Sequence, residues 1–168
     1  MIIKNNDFKE FIEVLKTYTG FLIYGPDKGK VKERATQVIE KLKLERSLSI
    51  IKVSKEDLEK NNLLDLILQK DIFSKKSLIS IDLDFIDSLK LEEKFFSSIS
   101  SNEANYILVE AGNLNKSDTL VKEFTKAKML ACIPCYQDTE HSIKETIKDY
   151  SKQFNLKIDN DSIIYLSN

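Results

Sequence analysis

The chain has 168 residues, 42% hydrophobic and 32% charged, enough apolar material for a packed core in one domain or one domain plus part of another. A net charge of −1 excludes any overall electrostatic pull toward nucleic acid or an anionic membrane. No apolar run approaches the ~20 residues of a membrane span, and the start Met-Ile-Ile-Lys-Asn-Asn lacks the design of a secretory leader, so a cytoplasmic protein without membrane association is expected.

In chain order, Phe8, Phe11, Ile12 and Leu15 fall at i, i+3, i+4 and i+7 and predict an amphipathic helix over residues 5–18, ended by Gly20. Phe21–Tyr24 reads as the first strand. Gly25-Pro-Asp-Lys-Gly-Lys-Val31 follows, and then a helix marked by Val31, Ala35, Val38, Ile39 and Leu42. An apolar strand, a Gly-bounded turn and a helix start are the parts of a phosphate-binding loop, where backbone N–H groups and the helix dipole favour an anion. The spacing is wrong for that chemistry. A working loop needs four residues between its glycines and then Lys and Ser or Thr; here three residues separate Gly25 from Gly29, and Val31 follows Lys30 where the Mg²⁺-binding hydroxyl belongs. Counting from Gly25 alone puts Lys30, Val31 and Lys32 on the last three positions, which is no better. Gly25, Gly29, Lys30 and Val31 are therefore read as a degenerate, non-functional P-loop, with Lys30 and Lys32 as a solvated basic start to the helix.

Further strands are predicted at 49–53, 77–83, 106–109 and 129–133, with Ser54 and Asp57 as candidate helix caps after the second. Helices are predicted over 62–69, around Leu91, Phe95, Phe96 and Ile99, and over 117–128 with Ser117 as cap. Apolar strands alternating with helices imply an α/β fold: a five-stranded, mainly parallel sheet flanked by helices. After Tyr136 the pattern changes to two helices, 138–154 and 159–166, with no following strand, and the chain stops in helical pattern. That ending suggests an N-terminal piece of a longer protein.

Other candidate chemistry is thin. Asp82 and Asp84 resemble the acidic strand end of an ATPase only loosely, because an adjacent Asp-Glu pair is missing; solvated carboxylates are expected there. Asn113 and Asn115 follow the fourth strand, where a water-sensing residue would sit, and read as turn and cap residues. Arg34 and Arg46 are the only arginines, and neither lies near the fifth strand, so no trans-acting arginine finger is expected. Cys132-Ile-Pro-Cys135 has the spacing of a redox site, but such sites open a helix and this pair ends a strand. Two cysteines and His141 are too few for structural zinc, and buried free thiols are expected, with no metal and no cofactor.

Phe21-Leu-Ile-Tyr-Gly-Pro-Asp-Lys-Gly29, the region Gln69–Ile81, Val109–Ser117, Ile133-Pro-Cys-Tyr136 and Asn155-Leu-Lys-Ile-Asp159 together resemble the delta subunit of bacterial DNA polymerase III. The resemblance covers essentially the whole chain and about the first half of such a subunit. It implies an ATPase-like (AAA+, P-loop NTPase-like) domain over 1–137, the beginning of a helical lid over 138–168, and an absent carboxy-terminal collar. It further implies a subunit of a DNA polymerase holoenzyme with no catalytic activity of its own, which binds and helps open the ring-shaped sliding clamp (the beta subunit) while other subunits hydrolyse ATP. Other loader subunits would be met through the missing region, DNA only within the full complex, and this piece alone is expected to be a monomer.

Within that frame Gln69-Lys-Asp-Ile-Phe73 gains a reading, because clamp-binding peptides follow a Gln-x-Asp/Ser-Leu-Phe pattern and this one carries Ile for Leu. Gln69 would supply directed hydrogen bonds, Asp71 completes the pattern, and Ile72 and Phe73 would act as apolar anchors. The alternative is that Ile72 and Phe73 are ordinary core residues before the third strand. A nucleotide-binding ATPase of related fold and a CxxC redox module are the competing functions.

Overall fold

Runs of apolar residues too short for helices form one sheet. The computed structural model describes residues 1–45, 48–54, 56–57, 63–68, 76–83, 93–101 and 105–167. Its strands are β1 (Gly20–Tyr24), β2 (Leu48–Val53), β3 (Lys76–Asp82), β4 (Asn105–Ala111) and β5 (Leu130–Pro134). They lie in the order β2-β3-β4-β1-β5 and every pairing is parallel. The helices are α1 (Phe8–Glu13), α2 (Lys28–Glu45), α3 (Leu63–Leu68), α4 (Glu93–Ser101), α5 (Thr119–Lys126), α6 (Glu140–Gln153) and α7 (Asn160–Ser167).

The strand alternation sorts side chains onto two faces. Phe21 and Ile23 of β1 join Leu78, Tyr106, Leu108, Ala131 and Ile133 under α1 and α2, where Phe8, Phe11, Val31, Ala35, Val38 and Leu42 are buried. Leu22 and Tyr24 face the other way, with Ile79, Ile81, Ile107 and Val109, and are covered by Ile67 of α3, Phe95 and Ile99 of α4, and Val121 and Phe124 of α5. A sheet covered on both faces explains why β1 and β4 are buried at every position and largely apolar, Asn105 and Glu110 of β4 being the polar exceptions.

Several element boundaries differ from expectation, β4 among them (105–111 against 106–109), and two of the differences have a visible cause. The first helix is not continuous: 3-10 turns at Asn5–Asp7 and Leu15–Thr17 flank α1. The Val14 carbonyl accepts from both the Thr17 amide (3.1 Å) and the Thr17 hydroxyl (2.8 Å), which draws the last turn into i+3 geometry. The helix expected from Ser117 begins at Thr119, with Asp118 rather than Ser117 at the N-cap position. The Asp118 carboxylate turns back to accept from the Asn115 amide at 2.7 Å, so Asn115 and Asp118 form a tight turn that delays the helix. Ser54 and Asp57 exchange amide-to-side-chain bonds as a capping pair.

The chain divides into two compact units, Met1–Cys135 and Tyr136–Asn168. The second is a helical hairpin. Thr139 and Ser142 form a capping box at the start of α6. Asn155, at φ 53°, ends that helix in the left-handed conformation that asparagine tolerates. Asp159 then accepts from the Ser162 amide at 2.7 Å to start α7. Among the described residues no helix is long and apolar enough to cross a membrane.

Candidate functional site

Parallel α/β sheets place ligands at the carboxyl ends of their strands. There the β1–α2 turn, the ends of β3 and β4, and the end of β5 meet. Gly25 follows β1 directly, and its amide donates to the Gly112 carbonyl at 3.0 Å. The Cys135 amide donates to the Tyr24 carbonyl (2.7 Å), and the Asp27 amide donates to the Cys135 carbonyl (3.3 Å). The turn is thus stitched to strands on both sides. A Cβ on Gly25 would lie 2.0 Å from the Cys135 carbonyl oxygen, so the close approach of the two backbones requires glycine. Gly29 has no such constraint: a Cβ there would meet only the Asp27 carboxylate, at an ordinary 3.4 Å.

The start of α2 carries an acid of its own. Asp27 precedes α2, and its carboxylate accepts from the Lys30 amide at 2.9 Å, so a fixed negative charge already sits at the helix N-terminus. Val31, where the metal-binding hydroxyl of a working loop would stand, is buried in the core against β1. Gly25 thus closes β1, and Gly29, Lys30 and Val31 lie in the first turn of α2.

Asp82, expected as a solvated strand-end carboxylate, is partly buried and paired. The Lys32 ammonium lies 2.8 Å from Asp82 Oδ2 and 2.9 Å from Glu110 Oε2; the directed hydrogen bond goes to Asp82 and the Glu110 contact is an ion pair. Asp82 and Glu110 are paired positions on β3 and β4, so the parallel register sets the two carboxylates side by side. Partial burial works against the charged ammonium, but the two carboxylates outweigh it, and the Lys32 pKa stands above its ordinary value. Lys32 is exposed, as expected of a basic helix start, and is in addition the counter-charge to buried Glu110. Sequence reasoning overlooked Glu110, and its only available signal was its place one residue before the end of an apolar strand. Asp84 lies outside the described residues.

Arg34 lies with its guanidinium carbon 3.9 Å from the Phe8 ring centroid and donates to Asn5 Oδ1, contacts that hold the N-terminal segment against α2, while a second bond to Gln37 Oε1 stays within α2. Arg46 lies outside the described residues, as do Gln69, Asp71, Ile72 and Phe73. Asn115 is a turn residue, as expected. Cys132 and Cys135 are buried free thiols in and just after β5. Burial raises the pKa of both, that of Cys135 to about 11, the opposite of what a redox-active thiolate needs. Among the described residues no group of His, Cys, Asp and Glu is arranged to hold a metal ion.

No protein-family model matches the chain. A Rickettsia prowazekii (strain Madrid E) protein described as a probable DNA polymerase III subunit delta is 28% identical over 145 residues, which are 86% of this chain and 43% of that relative. The solved structure of the Bacillus subtilis DNA clamp loader delta protein has the same fold, with a TM-score of 0.62 and 10% identity over 95% of this chain and 50% of the other. The chain spans half or less of the length of both. The chain therefore has the fold of that clamp loader delta protein and is similar in sequence, over 86% of its length, to a probable DNA polymerase III subunit delta.

Proposed function

We propose that this chain is the clamp-binding part of a clamp-loader delta subunit, which engages and helps open the sliding clamp in DNA replication without hydrolysing ATP itself. The observation that carries the reading is the sequence relationship to a DNA polymerase III delta subunit over 86% of the chain. Residues 1–137 serve as the AAA+-like domain, and 138–168 as the beginning of the helical lid. Gln69, Asp71, Ile72 and Phe73 form the clamp-binding peptide, with Ile72 and Phe73 filling an apolar groove on the clamp. The mechanism is mechanical: binding an opened ring more tightly than a closed one shifts the ring toward opening by that difference in affinity. Assembly with other loader subunits is assigned to the part of the relative that this chain does not span, and DNA is met only in the full complex.

The absence of ATP turnover is supported by the Asp27 carboxylate at the α2 N-terminus and by Val31 in the core. The carboxylate takes the Lys30 amide and sets a negative charge where a phosphate would bind, and Val31 offers no hydroxyl to a metal. Two measurements test the proposal. Surface plasmon resonance against the sliding clamp should show binding that Ile72→Ala with Phe73→Ala weakens by about 2 kcal/mol or more. Calorimetric titration with Mg-ATP should show no saturable heat. Unchanged clamp affinity in the folded double variant sinks the peptide assignment, and measurable Mg-ATP binding with turnover restores the ATPase reading.

A further inference from the structure

Asn105, the first residue of β4, is fully buried and uses both ends of its side-chain amide. Its Nδ2 donates to the Ile67 carbonyl at 2.7 Å, and its Oδ1 accepts from the Ser77 amide at 3.1 Å. Ile67 lies in the last turn of α3, where helix carbonyls have no partner within the helix. Ser77 is the second residue of β3, and its hydroxyl is 2.8 Å from that of Ser49 on β2, which extends the buried polar contacts to the sheet edge. Ile67 and Ser77 flank, in sequence, the segment that holds Gln69, Asp71, Ile72 and Phe73. One side chain from a distant strand therefore ties the two stems of that segment to each other. An apolar residue at position 105 would leave the Ile67 carbonyl and the Ser77 amide without these bonds in a buried place.

We propose that Asn105 is a positioning residue for the Gln69–Phe73 peptide, holding its two stems at a fixed separation so that less conformational freedom is lost when the peptide docks. This rests on the proposal that the peptide binds the clamp. The test compares Asn105→Ala with Val38→Ala, a core truncation on the opposite face of the sheet, and with the Ile72→Ala/Phe73→Ala protein. Hydrogen exchange and clamp affinity are measured on each.

Asn105→Ala should accelerate exchange at the Ser77 amide relative to β1 amides, and weaken clamp binding about tenfold, chiefly through the ordering lost at the stems. Val38→Ala should lower stability globally and leave the affinity of the folded protein unchanged. Asn105→Asp keeps the size and the acceptor but removes the amide donor; it should retain Ser77 protection while still weakening binding, and it serves if the alanine variant does not fold. If the Ile72/Phe73 variant binds weakly but the Asn105 variants bind like Val38→Ala, the role of Asn105 is overturned alone. If the Ile72/Phe73 variant binds normally, the peptide assignment fails first and takes this role with it.

Discussion

Gly25 and Gly29 look alike in sequence and carry different physical demands. A methyl group at Gly25 would sit 2.0 Å from the Cys135 carbonyl oxygen, and backbone has no room to yield there because hydrogen bonds lock both segments. Gly25→Ala should destabilise by more than about 2 kcal/mol. Gly29 lies in the first turn of α2 with space for a methyl group, so Gly29→Ala should be neutral or stabilising by about 0.5 kcal/mol. Urea unfolding of the two variants checks the contrast, and equal losses would contradict it. Cys135 makes a pH prediction. Its thiol is raised from 9.0 to about 11 by burial, so between those values the unfolded chain releases this proton while the folded one keeps it. The contribution is fully present below pH 9 and is lost as pH rises toward 11. The difference in unfolding free energy between wild type and Cys135→Ala should accordingly shrink across that window, and a pH-independent difference would refute the assignment.

At the scale of elements, the Lys32–Asp82–Glu110 group joins α2 to the ends of β3 and β4. The ammonium is largely exposed, at 62%, while Glu110 is 9% exposed. Solvent screening limits the value of the pair, so Lys32→Ala should cost about 1 kcal/mol at neutral pH rather than the larger loss of a fully buried pair. Because the Lys32 pKa is raised above 10.5, its contribution persists below that pH and fades as pH rises through the folded value. Denaturation of the variant at pH 7 and well above pH 10.5 checks this; an equal deficit at both would mean that Lys32 acts only through packing.

For the whole molecule, both hydrophobic clusters are built from residues before Tyr136. A chain ending at residue 135 should keep cooperative thermal unfolding followed by circular dichroism. The hairpin 136–168 buries Ser151, Ile163 and Ser167, yet leaves Phe154 at 62% and Tyr165 at 83% exposure. As an isolated peptide it should be mostly unfolded, since two short helices without a shared core do not offset their nucleation cost. A folded peptide, or a collapsed 1–135 chain, would show that this division is not energetic.

The five strands and α2 were legible in the sequence because burial on both faces leaves unbroken apolar runs, and a one-sided helix leaves a 3.6-residue period. Val31, Ala35, Val38 and Leu42 are all buried, as their spacing predicts. The failed spacing of Gly25, Gly29, Lys30 and Val31, and the pattern Gln69–Phe73, were likewise plain from residue order alone. Tertiary structure decided what residue order does not encode: which strands become neighbours. Only the β3–β4 register sets Asp82 beside Glu110 and brings Lys32 to both. Only the placement of β4 beside β3 lets Asn105 reach Ile67 and Ser77 together. Periodicity is a local property, set by the geometry of one helix or strand. Charge pairing and buried amide bonds form between segments far apart in the chain, so they exist only once the sheet order has brought those segments together.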